Sequence, residues 1–63
     1  MMSVTVYKLD EYGYRKRSCE VFRADSVKIS EADCDVLVVT LWNGSEMRIN
    51  MNKYDVDINV RAF

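Results

Sequence analysis

The sequence predicts an all-β fold: one small antiparallel domain spanning residues 1–63, built from five to six strands. Three observations carry this expectation. Period-2 alternation of apolar and polar residues recurs along the chain, while no window sustains the i, i+3, i+4 apolar stripe of an amphipathic helix. Asn43-Gly44 stands between a β-branched run and an alternating run, which is the strongest short-range hairpin signal. Proline, internal repeats and linker composition are all missing, so nothing divides the chain into parts.

Taken in order, the first element alternates Val4 and Val6 with Thr5 and Tyr7. A four-residue loop, Asp10-Glu11-Tyr12-Gly13, then sets Val4 opposite Cys19 and Met2 opposite Val21 in a first hairpin. Residues 14–29 supply the return strand, in one piece or broken once, followed by a polar loop at Ser30-Glu31-Ala32-Asp33.

The central hairpin admits two registers. A two-residue turn at Asn43-Gly44 would put Thr40 opposite Met47 and mix apolar with charged side chains. A three-residue loop, Trp42-Asn43-Gly44, with Gly44 in the left-handed bulge position, instead sets Val39 opposite Met47 and Leu37 opposite Ile49. That register builds one apolar face, and it is the preferred one. Beyond it, Asn52-Lys53 separates two more alternating runs. Pairing across them sets Ile49 opposite Val56 and Arg48 opposite Asp57, which makes residues 36–61 a C-terminal three-stranded meander. The competing arrangement is a short turn near Asn52 that sends the last strand elsewhere, as in a closed SH3-like small barrel.

A chain of 63 residues buries only about 60% of the surface its unfolded form exposes, so its core is thin. Nine Lys and Arg against ten Asp and Glu give a net charge of −1, with no global attraction to nucleic acid or anionic membrane. No apolar run approaches the ~18 residues of a membrane span, and the alternating start at Met1-Met2-Ser3-Val4 is unlike a signal peptide, so the expected location is the cytoplasm. Asn43-Gly44-Ser45 matches a glycosylation acceptor formally, which is without weight in an unsecreted chain. Histidine is missing, which removes the commonest general base and the commonest neutral metal ligand.

Four groups of residues are candidates for chemistry or binding. Arg15-Lys16-Arg17 lies among Tyr7, Tyr12, Tyr14 and Phe22, the pairing of cations and rings that holds single-stranded nucleic acid. The half up to residue 30 carries a net +2, against −3 for the rest, a small concentration of charge. An exposed strand whose charges discourage edge pairing is the plainer reading. Glu31, Asp33 and Asp35, with Asp55, Asp57 and Asn59, place oxygen ligands at alternate positions but lack the glycine and bidentate glutamate of a calcium loop, so a solvated strand face explains them and no metal is expected. Cys19 and Cys34 have no histidine to activate a thiolate, and Cys19, sharing a face with Val21, reads as a small buried hydrophobe. Last, the preferred register leaves Val36, Val38 and Trp42 on the face opposite the core. Either further strands close over that face or it binds a protein, with Trp42 as anchor.

No Gly-rich phosphate loop, serine elbow or metal cluster is present, so neither an enzyme nor a cofactor or small-molecule substrate is expected. The expected function is that of a non-catalytic protein-interaction module, a small adaptor, inhibitor or homo-oligomer; the length is one common among phage and mobile-element accessory proteins. The alternative is a small barrel binding single-stranded RNA or DNA through Arg15, Lys16, Arg17, Tyr12 and Tyr14.

Overall fold

In the computed structural model, which describes residues 2–60, the chain forms five strands and no helix. They are β1 (Met2–Leu9), β2 (Arg15–Ile29), β3 (Val36–Leu41), β4 (Glu46–Asn50) and β5 (Tyr54–Val60). All pairings are antiparallel, in one five-stranded sheet of order β4-β3-β2-β1-β5 that does not close. No helix among the described residues is long and apolar enough to cross a membrane.

Two of the turns share one design. In each, a three-residue loop is closed by an amide that donates to the carbonyl four residues on: Leu41 to Ser45 at 2.8 Å, and Asp10 to Tyr14 at 2.8 Å. In each, a glycine amide donates back to the first residue: Gly44 to Leu41 at 3.0 Å and Gly13 to Asp10 at 3.1 Å. Gly44 has φ +87° and Gly13 φ +83°, the left-handed conformation that closes such a loop and that only glycine adopts without strain. The expected register of the central hairpin is therefore observed, with Leu37 opposite Ile49 and Val39 opposite Met47.

The first hairpin departs from expectation. Its loop is Glu11-Tyr12-Gly13, and two extra residues of β2 are accommodated between the pairs Leu9–Arg15 and Tyr7–Cys19. Val4 consequently lies opposite Phe22 and Met2 opposite Ala24, not opposite Cys19 and Val21. Because facing side chains share a side of the sheet, this slip places Cys19 and Val21 on the outer face, where Cys19 is exposed and Val21 is 66% exposed.

β2 is one continuous strand that serves both halves of the sheet. Its residues up to Ala24 pair with β1, and those from Ala24 onward pair with β3. Ala24 lies opposite both Met2 and Leu41, and Asp25 is the extra residue of a bulge that bends the strand at the point of exchange.

The C-terminal meander over 36–61 does not form: β5 pairs with β1, not with β4. A two-residue hairpin at Asn52-Lys53 would need positive φ at one or both positions, and among the described residues only Gly13 and Gly44 have it. The segment turns instead through a bond from the Lys53 amide to the Asn50 carbonyl (3.1 Å), with Asn50 Oδ1 accepting from the Asn52 amide. The Met51 amide donates to Asp35 O and the Leu9 amide to Lys53 O, so the turn ties the start of β3 to the end of β1 and delivers β5 across. Val56 and Ile58 then face Val6 and Val4, and Val4 becomes wholly buried. The last strand therefore goes elsewhere than β4, as in the competing arrangement, but the sheet does not close.

The core gathers Val4, Ala24, Leu37, Val39 and Ile49, with Met2, Val6, Val27, Leu41, Met47, Tyr54 and Val56 packed around them. These are the inward positions of the strands.

Candidate functional site

Asp57 does not face Arg48. Its carboxylate instead takes both terminal nitrogens of Arg15, at 2.9 and 2.8 Å, while Arg15 Nε donates to Asp55 Oδ2 at 2.6 Å. The guanidinium lies 4.3 Å from the centre of the Tyr7 ring. One side chain from the start of β2 thus crosses over β1 and grips two carboxylates of β5, in the planar two-pronged geometry that suits arginine. Hydrogen bonds to Asp57 and then Asp55 hold Arg15 above the ordinary guanidinium range. The bond from Arg15, and next the Val56 amide, holds Asp55 below the ordinary carboxylate range.

This clamp removes Arg15 from the basic run. Lys16, Arg17, Tyr12 and Tyr14 remain exposed, the two tyrosines at 77% and 71%. Asp33, Cys34 and Asp35 bring their ligand atoms within 4.8 Å of one another, but all are exposed. Asp33 Oδ1 accepts from the Asp35 amide at 2.9 Å, the bond of an Asx turn, so the cluster is explained by the loop it builds. Both thiols are free, and Cys19 is not the buried hydrophobe expected of it.

The three apolar contact candidates separate. Trp42 is 69% exposed, its amide donating to Arg23 O. Val36 is half-buried, and Val38 is only 4% exposed. Val38 sits in register between Lys28 and Arg48, where the aliphatic stems of two long cations can cover a valine on an otherwise open face. Of the three, only Trp42 is largely exposed.

A concavity lies elsewhere. Between β4 and the N-terminal half of β2 runs a groove of about 410 Å³, floored and walled by Val6, Phe22, Met47, Ile49 and Tyr54. Ser18, Cys19 and Glu20 form its β2 rim. Both flanking strands are unpaired on one side: β4 bonds only β3, and β2 before Ala24 bonds only β1. A second recess of about 380 Å³ shares Lys8 and Tyr54 with the groove and is lined also by Lys16, Lys53, Leu9, Asp10 and Asn52.

Sequence reasoning missed this site. It depends on β5 leaving β4, which opens the inner face of Met47 and Ile49, and on a turn that carries Lys53 to Lys8. The usable signal was the lack of a glycine at Asn52-Lys53, which disfavours a tight hairpin there. Comparison with family models, with curated proteins and with solved structures finds no match for this chain.

Proposed function

We propose that this chain is a non-catalytic protein-interaction module that seats a segment of its partner in the groove between β4 and β2. The observation that carries this reading is an apolar groove bounded by two strand edges whose outward N–H and C=O groups have no strand beside them. Such an edge is a template for a further strand, with main-chain bonds giving affinity and the apolar floor giving selectivity. The charged residues on the edges, Glu46 and Arg48 on β4 and Lys16 and Arg17 on β2, oppose indiscriminate pairing, and Arg48 also lines the groove. Trp42 offers a second, separate contact. The partner is another protein or a second copy of this chain, and the nucleic-acid alternative is weakened by the loss of Arg15 to its clamp.

Cys19 supplies the test, because it is exposed on the groove rim while Cys34 lies outside the groove. The Cys34→Ser variant carrying a photoactivatable maleimide on Cys19 is irradiated in an extract of the source cells, and adducts are identified by mass spectrometry. A defined protein adduct, or a dimer of the chain, is expected from Cys19 and not from the converse variant labelled at Cys34. Identical adducts from both positions, or none from Cys19, would overturn the reading.

A further inference from the structure

The groove and the lysine recess share Lys8 and Tyr54 in their linings, and their chemistry differs from one to the other. The groove has an apolar floor with Ser18, Glu20 and Arg48 beside it; the recess is lined by three lysines, from β1, β2 and the β4–β5 turn. Among the described residues the salt bridges all belong to Arg15, so none of the three lysines has a described carboxylate within 4.0 Å. The one acid in the recess, Asp10, is engaged in the β1–β2 turn, its Oδ1 accepting from the amides of Tyr12 and Tyr14 at 2.9 Å each. Three cations against the single carboxylate of Asp10 leave the recess with an excess of positive charge, which a bound anion offsets. The chain as a whole is slightly acidic, so any attraction for an anion at this end is local.

We infer that the partner segment is an extended peptide with apolar side chains at alternate positions and acidic residues just beyond them, the acids entering the recess of Lys8, Lys16 and Lys53. This rests on the groove being the binding site. Period-2 side chains suit a strand laid along β4, since every second residue points to the apolar floor. An apolar floor adjoining the cationic recess at Lys8 and Tyr54 favours a peptide over a nucleic-acid strand, because a polyanion would match the lysines and leave the apolar floor unused. The recess also selects orientation: a strand laid in reverse brings its carboxylates to the wrong end.

The test is selection of a random-peptide display library on the immobilised chain, repeated with the variant Lys8→Gln/Lys16→Gln/Lys53→Gln. All three lysines are exposed, so the variant is expected to fold like the parent, as circular dichroism checks. Selected peptides are expected to alternate apolar residues and to carry Asp or Glu at one end. They should be displaced by a bulky maleimide on Cys19 and bind the variant about tenfold more weakly, with affinity falling as salt rises. Peptides displaced by the Cys19 adduct but without acidic enrichment, or indifferent to the variant, would overturn the inference and leave the groove reading standing. Failure to select any peptide sensitive to the Cys19 adduct would remove both. Retardation of a single-stranded oligonucleotide by the parent and not by the variant, without acidic peptides, would assign the recess to phosphate and overturn the peptide.

Discussion

Gly44 and Gly13 hold φ values near +85° in open surroundings: a Cβ built at either meets nothing within 4 Å. Their requirement is therefore conformational and not steric. Gly44→Ala and Gly13→Ala are each expected to destabilise the fold by about 1–2 kcal/mol, and Gly44→Asn by less, as read from denaturant midpoints at constant m. The first glycine's role was legible, since Asn43-Gly44 between alternating runs has few other meanings. The second was legible only as a loop, because nothing local reveals that two extra residues of β2 follow it. Arg15 was misjudged for a related reason. Its partners Asp55 and Asp57 lie forty and more residues away, and only the β1–β5 pairing brings them over Tyr7. Asp55 is held below its usual range, so its contribution to stability is present above the unfolded value of about 3.9 and is lost as pH falls through the lower folded value. Asp55→Asn should flatten the acid limb of a stability-against-pH curve by lowering stability slightly at neutral pH, the pair being partly exposed, and should match the parent at the acid end.

Among the elements, β2 is the one on which the architecture turns. Exchange of partners at Ala24 requires a side chain small enough to sit beneath both Met2 and Leu41, and Ala24 is only 5% exposed. Ala24→Leu is expected to destabilise by about 1–3 kcal/mol through overpacking, with the strain spreading into both hairpins; chemical shifts on β1 and β3 should move together. Alternation along β3 and β4 made their faces and register readable in advance. Alternation along β5 fitted β4 and β1 equally well, because period 2 says which side chains point inward and not which neighbour lies beside them. What decided the matter was turn geometry, and with it went the location of the groove. Lys8 and Lys53 gained significance only through the bond between the Leu9 amide and Lys53 O, a contact between chain positions far apart.

A molecule of this size has little reserve: at about 0.05–0.15 kcal/mol per residue its total stability is about 3–9 kcal/mol. Leu37→Ala, which empties a position 5% exposed at the centre of the core, is expected to remove about 2–5 kcal/mol and to leave the chain marginal at 37 °C. Protection should fall outward from the middle of the sheet. In hydrogen exchange the amides near Val4 and Val39, which lie wholly buried on strands flanked on both sides, are expected to be slowest, and the outward amides of β4 and β5 fastest. A partner strand seated along β4 would add protection at Met47 to Ile49 and leave β5 unchanged. Uniform protection across all five strands would contradict this order. The pairing of Met2 with Val60 has a mechanical corollary. Tension applied between the two chain ends loads the β1–β5 ladder one bond at a time, peeling it like a zipper instead of shearing it as a block. The domain should therefore yield at low force in a pulling experiment, with β5 the first strand to detach and the β1–β2–β3–β4 meander giving way afterwards.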